Sequence, residues 1–191
     1  SEEIKKLKEL NIPILFINSL PFSLKEQFEI HTLLKKQKPI IFHSPHFNIP
    51  FFINKKTKLI CTIHDIALDI YKEEVKSIFH QMYYKLCMKK IKQSATVISV
   101  SNYTKSAIED YYGIKNSYMI HNTFDYEKIQ TTPIKRKEKT LLFVGINKKR
   151  KNLNFLIDVM ALLPKDIKLT IIGSKNSNDL NINKKINNLN L

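Results

Sequence analysis

The sequence contains very little glycine. Its 191 residues include only Gly113, Gly145 and Gly173, where average usage of about 7% would give a dozen or more. A complete nucleotide-binding enzyme normally needs more glycine-bearing loops than these, so some are expected to be missing. The hydrophobic fraction of 43% is nevertheless sufficient to fill a core, which excludes a disordered or fibrous chain.

Arginine is almost absent, although the chain is strongly basic. The formal net charge is +15, and only Arg136 and Arg150 among the 32 Lys and Arg residues are arginines. Base readers and phosphate clamps favour arginine because its planar fork matches guanine edges and phosphate oxygens. The composition therefore argues against specific nucleic-acid binding, and AT-rich codons account for much of the lysine. A general attraction to phospholipid, lipopolysaccharide or nucleotide remains.

Cysteine is also scarce. Cys61 and Cys87 show neither a CxxC nor a Cys/His metal spacing, so we predict two buried, reduced thiols. The chain opens with the charged run Ser1-Glu-Glu-Ile-Lys-Lys, which is not a signal peptide, and no run of about 20 apolar residues is present. These features predict a cytoplasmic protein that could lie at the inner face of the plasma membrane.

Short apolar runs alternate with helical periods along the chain. The runs are continuous rather than alternating, which is typical of strands buried on both faces of a parallel sheet. Alternating strand and helix predicts an α/β fold. The predicted strands are residues 13–17, 39–43, 58–63, 96–100, 117–120, 140–144 and 168–172.

The predicted helices follow a 3.6-residue apolar period. One begins near Leu153. Another extends from Val75 to Ile91, and the apolar positions that recur along it are Val75, Ile78, Phe79, Met82, Tyr83 and Leu86. A third covers residues 102–112, with Ser101 as its N-cap and Gly113 as its stop. The chain opens in a helix over residues 2–10, and the Asn-rich residues 176–190 are either a weak helix or a frayed end.

The chain divides near residue 133. Residues 127–139 lack an apolar period and resemble a linker. Residues 1–133 carry a net charge of +6, while residues 134–191 carry +9 in under half the length. We predict one α/β unit over residues 1–133 and the opening β-α-β of a second over residues 134–191.

A cationic loop is the first candidate for chemistry. Lys148-Lys-Arg-Lys151 lies between strand 140–144, followed by Gly145, and a helix that starts near Asn152. Four cations beside the free N–H groups of a helix N-terminus suit a diphosphate. A solvated lysine-rich loop is an equally good interpretation of the spacing. The Walker pattern GxxxxGK[ST] is absent.

Histidines follow two of the predicted strands. His64 and Asp65 come after strand 58–63, at a carboxyl end where α/β sites collect, and could supply a proton-transfer group or polar anchor. An ordinary loop histidine is the commoner outcome for such a dipeptide. His43 and His46 invite a metal interpretation, but the intervening proline and the lack of a third ligand favour a polar loop.

The helix predicted near residues 72–93 is basic. A basic amphipathic helix can contact an anionic membrane, although a solvated lysine face is the commoner explanation. Its lysines are Lys72, Lys76, Lys85, Lys89, Lys90 and Lys92.

Five runs, in order and spacing, resemble the mannosyltransferase-like members of glycosyltransferase family 4, which have the GT-B fold. The resemblance extends from about Pro39 to Gly173. The runs are Thr62-Ile-His-Asp65, Ile98-Ser-Val-Ser-Asn-Tyr-Thr-Lys105, Ile120-His-Asn-Thr-Phe-Asp125, Leu142-Phe-Val-Gly-Ile-Asn-Lys-Lys-Arg-Lys-Asn152 and Leu169-Thr-Ile-Ile-Gly173.

The resemblance implies two Rossmann-like domains, the first holding the acceptor and the second a nucleotide sugar, UDP- or GDP-linked. Such enzymes transfer a sugar with retention and without a metal or other cofactor, onto an envelope glycan or lipid-linked acceptor. Donor binding would fall to Arg150 and Lys151, with Gly145 and Asn152 beside them. His64, with Asp65, would position the transferred sugar.

Three departures from the family pattern affect these expectations. Ile146 stands where many members have arginine, and neither the family's Glu-x7-Glu motif nor its first glycine-bearing loop is present. We therefore expect a fragment that lacks its first strand and is inactive alone. The alternative from another class is a non-catalytic basic α/β module that binds anionic lipid or RNA through its lysine faces.

Overall fold

The computed structural model describes residues 2–72, 77–124, 138–174 and 179–189. The chain divides into two compact units, one of Ser1–Ile66 with Ser77–Asn122 and one of Ala67–Lys76 with Thr123–Leu191. The boundary predicted at residue 133 lies outside the described residues. Each unit is described by itself below.

The first unit is built on a four-stranded sheet whose order follows the chain, β1-β2-β3-β4. All three pairings are parallel, which confirms the predicted α/β class. Because the strands are parallel, their carboxyl ends reach one edge of the sheet, where α/β proteins place their sites. The strands are β1 (Ile41–Ser44), β2 (Lys58–Ile63), β3 (Ala95–Ser99) and β4 (Ser117–Met119).

Serine residues are the N-caps of the main helices of this unit. Ser23, Ser77 and Ser101 each accept a hydrogen bond from a first-turn N–H, which satisfies a donor that the helix leaves unpaired. Gly113 ends its helix at φ +64, so its predicted role and that of Ser101 are confirmed. The helices up to this point are α1 (Glu2–Glu9), α2 (Leu24–Gln37), α3 (Ala67–Ile70, in the second unit), α4 (Ile78–Ser94) and α5 (Asn102–Tyr112).

The strand predicted at residues 13–17 is wrong. This segment forms no strand, and Leu15 and Phe16 are exposed. Directly after it, the backbone N–H groups of Asn18 and Ser19 donate to the Glu29 carboxylate on α2. The chain that follows is thus held against α2 rather than against β1. An apolar run forms a strand only where its backbone pairs with a neighbouring strand.

Helix α4 packs through a different face from the predicted one. Its period placed Ile78, Phe79, Met82 and Leu86 together with Tyr83, but those four side chains are 71%, 83%, 57% and 54% exposed. The helix is apolar on two sides, and the sheet covers only one. Val75, the first residue of the predicted period, lies outside the described residues. The buried side consists of Tyr83, Tyr84, Cys87, Met88 and Ile91.

Both cysteines lie in the core of the first unit. Cys61 on β2 and Cys87 on α4 are fully buried and free, as predicted. Burial raises the pKa of the Cys61 thiol to about 12 and that of Cys87 to about 11, because a thiolate is poorly solvated there. The two thiols are therefore part of the packing.

The second unit contains the predicted β-α-β. Strands β5 (Thr140–Val144) and β6 (Lys168–Ile172) are parallel, and α6 (Leu153–Leu162) connects them. Residues 176–190 include a helix, α7 (Asp179–Asn188). Helices α6 and α7 cover one side of the strands through a small core of Leu153, Ile157 and Ile182, with Phe143, Leu156 and Ile186 packed against it.

The strands of the second unit are not buried on both faces, contrary to the prediction. Leu142 and Val144 on β5 are 63% and 67% exposed, and Ile172 on β6 is 54% exposed. Side chains alternate across a strand, so Phe143 reaches the helical core while its neighbours face the other way. Among the described residues, no helix combines the length and apolar character needed to cross a bilayer.

Candidate functional site

His64 is held at the carboxyl end of β2 by the loop after β1 and by helix α5. Its ring Nε2 lies 3.0 Å from the Pro45 carbonyl oxygen, after β1, and its own carbonyl accepts from Thr104 Oγ1 at 3.0 Å, near the start of α5. A ring nitrogen that is hydrogen-bonded to a carbonyl oxygen must carry a proton, because the carbonyl can only accept. In the neutral ring, Nε2 of His64 therefore donates, and Nδ1 holds the lone pair. The exposed side chain of Asp65 follows.

His46 joins His64 at this edge. The side chain of His46 is exposed overall, yet partial desolvation of its ring lowers its pKa first. His64 and His80 lower that pKa further, while Asp65 acts in the opposite direction. The His46 ring lies 4.1 Å from that of Phe47, measured between centroids. The charges of His64, His80 and Asp65 therefore all act on His46.

A buried polar network fixes the loop that carries Pro45 and His46. Tyr83 Oη donates to Asn48 Oδ1 at 2.6 Å and accepts from Gln27 Nε2 at 2.6 Å. Asn48 donates in turn to both Glu26 carboxylate oxygens at 3.0 Å. Because each of these groups has a hydrogen-bond partner inside the unit, the network stabilises the loop and, with it, the position of Pro45 against His64.

His43 lies apart from His46. It is a β1 residue whose ring nitrogen Nε2 lies 2.9 Å from Thr62 Oγ1 on β2, whereas His46 lies beyond the end of the strand. The pair thus does not converge as metal ligands, and no group of three His, Cys, Asp or Glu side chains suited to a metal occurs within the described ranges.

The cationic loop of the second unit has a residue of positive φ at each end. Gly145 follows β5 at φ +150, where residues with a side chain are strained, and its N–H donates to Ile172 O at 2.8 Å. Asn152 at the other end is left-handed, with φ 54. Between them, Lys149–Lys151 form a single 3-10 turn. The loop is therefore short and tightly folded.

The 3-10 turn determines the directions in which its three cationic side chains leave the backbone. Side chains leave a 3-10 helix about 120° apart because it has three residues per turn, so Lys149, Arg150 and Lys151 leave the backbone in three different directions. Asn152 precedes α6 without a side-chain capping bond, so its amide oxygen does not occupy the helix N-terminus. The end of α6 and the adjacent Lys151 present positive potential together.

The predicted residues thus form two groups. His64 and Asp65 belong to the first unit, while Gly145, Arg150, Lys151 and Asn152 share one loop of the second. Sequence reasoning missed the Glu26–Gln27–Asn48–Tyr83 network and His80. One signal was available, because Ser23 and Glu26 have the spacing of a capping box and mark the start of α2.

Two pockets lie apart from these residues. One of about 630 Å³ adjoins the C-terminal half of α2, and one of about 670 Å³ adjoins α6 and β6. Neither includes a predicted site residue. The first is lined by His31, Leu34, Lys35, Lys38, Phe51, Phe52, Ile53 and Asn54, and the second mainly by apolar side chains from Ile157 to Leu189.

Comparison with known proteins gives one family. The family model "Glycosyltransferase Family 4" matches residues 5–128. The crystal structure of Anabaena Alr3699/HepE in complex with UDP-glucose matches with 18% identity and a TM-score of 0.66 over 100% of this chain. The same protein in complex with UDP matches with 17% identity and a TM-score of 0.64 over 98%.

These likenesses define the fold. The chain spans 56% of the length of both Anabaena chains, and identities this low carry information on architecture only. A sequence search of curated proteins gives no match.

Proposed function

The chain belongs to glycosyltransferase family 4, and from this premise we propose that it forms part of a retaining enzyme that transfers a hexose from a UDP- or GDP-sugar. The acceptor we propose is a cell-envelope glycan or lipid-linked saccharide. Since the chain spans a little over half the length of its structural neighbours, the transfer reaction is assigned to the full-length enzyme.

The loop from Gly145 to Asn152 carries this proposal. It follows a strand of a parallel sheet, begins with a glycine that lets backbone approach a ligand, and ends at a helix N-terminus beside Arg150 and Lys151. In such a place a nucleoside diphosphate can receive backbone N–H groups and cationic side chains together. The negative charge that grows on the leaving diphosphate would be neutralised by those cations.

We also propose that the transfer needs no metal. Where a divalent ion would otherwise offset the diphosphate charge, Arg150, Lys151 and the end of α6 supply positive potential from the protein. The bound UDP-glucose and UDP of the Anabaena structures support a nucleotide-sugar donor for this chain as well.

His64 and Asp65 are proposed to position the transferred sugar. With Nε2 engaged by Pro45, His64 offers Nδ1 and the ring edge to a hydroxyl group. The exposed Asp65 carboxylate beside it can accept from a second hydroxyl. Orientation by two fixed groups is a large part of what a transferase contributes to rate.

Donor selectivity tests the proposal. We expect UDP or GDP, but not both equally, to raise the midpoint of thermal unfolding of this chain, with UMP or GMP raising it less because the second phosphate is missing. Circular dichroism follows the transition. Equal stabilisation by all polyanions, lost steeply as salt rises, would refute the donor site and favour the basic binding module.

Retention is tested separately on a full-length enzyme. The anomeric configuration of its product, read by NMR coupling constants, should equal that of the donor. An inverted anomer would refute this part of the proposal and leave donor binding untouched.

A further inference from the structure

Helix α4 exposes an apolar surface to solvent. Ile78, Phe79, Met82 and Leu86, which we call the outer face, are between 54% and 83% exposed. At about 3.6 residues per turn they lie on one side of the helix, opposite the buried Tyr84, Met88 and Ile91. Large apolar side chains gathered on an exposed helix mark an interaction surface more often than scattered ones do.

Lysine side chains lie beside the outer face and continue it toward the C-terminus of α4. Lys90 continues the i, i+4 row that Ile78, Met82 and Leu86 begin, while the exposed Lys85 and Lys89 flank it. The helix contains no acidic residue. The surface is therefore apolar in its first half and basic in its second.

We propose that the outer face of α4 is a docking surface for an anionic phospholipid bilayer. A helix with apolar side chains and flanking lysines lies in the plane of the interface, its apolar side chains among the acyl chains and its ammonium groups at the phosphates. The proposal stands apart from sugar transfer, since it uses none of the residues assigned to that reaction.

Charge complementarity selects the bilayer over a second copy of this chain. The chain carries a net charge of +15, and a dimer through α4 would bring two sets of Lys85, Lys89 and Lys90 together, with no acid on the helix to offset them. An anionic membrane attracts the same lysines, and long stems let their charged ends reach the phosphates while Phe79 enters the apolar layer.

The sequence provides a clean optical test because it contains no tryptophan. The variant Phe79→Trp places a single probe on the outer face, and Phe155→Trp places one on α6, where the phenylalanine is 61% exposed. With phosphatidylcholine vesicles containing phosphatidylglycerol, we expect a blue shift of emission for Phe79→Trp only. Pure phosphatidylcholine should give little shift.

Two matched pairs of lysine substitutions distinguish binding through the outer face from a general attraction caused by net charge. Lys85→Gln with Lys89→Gln should weaken vesicle partitioning at least about tenfold, while Lys55→Gln with Lys56→Gln, an exposed pair elsewhere, should change it much less. Equal losses, a blue shift at both tryptophans, or binding to neither vesicle would overturn the proposal. So would a chain that dimerises in solution and becomes monomeric through Phe79→Gln.

Discussion

Gly173, at the end of β6, lies directly against the backbone of Gly145, at the end of β5. A Cβ atom on Gly173 would overlap the Gly145 carbonyl oxygen and come within 2.8 Å of its carbonyl carbon. The N–H of Gly145 bonds to Ile172 at the same point. The conformation of the proposed donor loop thus depends on a glycine outside it.

We expect Gly173→Ala to destabilise the second unit by about 1–3 kcal/mol, the usual cost of forcing an extra methyl into packed atoms. Hydrogen exchange at the β5 and β6 amides, including that of Gly145, should accelerate accordingly. Ser174→Ala, at an exposed neighbour, is the control. Unchanged exchange in Gly173→Ala would contradict the close approach.

Lys151→Ala and Arg150→Ala test the donor loop by charge. Each should raise the dissociation constant of the preferred nucleoside diphosphate about tenfold or more, since a hydrogen bond to a charged group contributes about 1.5–3 kcal/mol. Lys165→Ala removes an exposed lysine elsewhere in the unit and is the matched control. Calorimetric titration measures all three. If Lys151→Ala and Lys165→Ala behave alike, the loop does not bind the diphosphate.

Most strands could be predicted from local composition because burial and β-branching act over a few residues. The segment 58–63 is an example, since its apolar run lies in the middle of the sheet. The segment 13–17 is as apolar, but a strand also needs a hydrogen-bonded neighbour, and Glu29 holds the following backbone instead. Pairing is a tertiary property, so composition alone did not exclude this strand.

In the candidate site, too, local sequence predicted some features, while others depended on tertiary structure. Motif spacing placed His64 after a strand, and the structure has it there. His46 lies on the loop after β1, and His80, which acts on His46, lies on α4. The register of β1 on β2, with Ser44 opposite Cys61, places the loop after β1 beside His64. Likewise, two apolar stripes on α4 gave no local indication of which one the sheet would cover.

Tyr83→Phe should loosen the loop that carries Pro45 and His46. Removing the hydroxyl leaves Asn48 Oδ1 and Gln27 Nε2 without their buried partner, at a cost of about 1–3 kcal/mol in unfolding free energy. Urea denaturation measures it, and NMR of His64 should show exchange broadening. Tyr103→Phe, at a 72% exposed ring, should leave both unchanged; equal effects would refute the network.

His46 makes the first unit sensitive to acid. Its pKa lies below the ordinary value of 6.5, first through partial desolvation of the ring, although the residue as a whole is exposed, and also through His64 and His80. The unfolded chain therefore binds this proton somewhat more readily than the folded one. Stability is therefore complete above pH 6.5 and decreases as the pH falls through that value toward the folded-state pKa. Urea midpoints between pH 7.5 and 5.5 should show this loss, and His46→Gln should reduce it. An unchanged slope in the variant would assign the sensitivity to another group.

The two thiols should be inert in the folded protein. A thiolate is the reactive species, and pKa values of about 12 for Cys61 and about 11 for Cys87 leave almost none of it at pH 8, while burial also blocks access. We expect a disulfide reagent such as DTNB to react with neither thiol on mixing and with both in denaturing urea. Because Cys87 lies on the buried side of α4, its reaction rate in the native state reports how often α4 leaves the sheet. Anionic vesicles should not accelerate that rate, since docking through the outer face leaves the inner one in place; fast reaction on vesicles would mean that the membrane binds the opposite side of the helix.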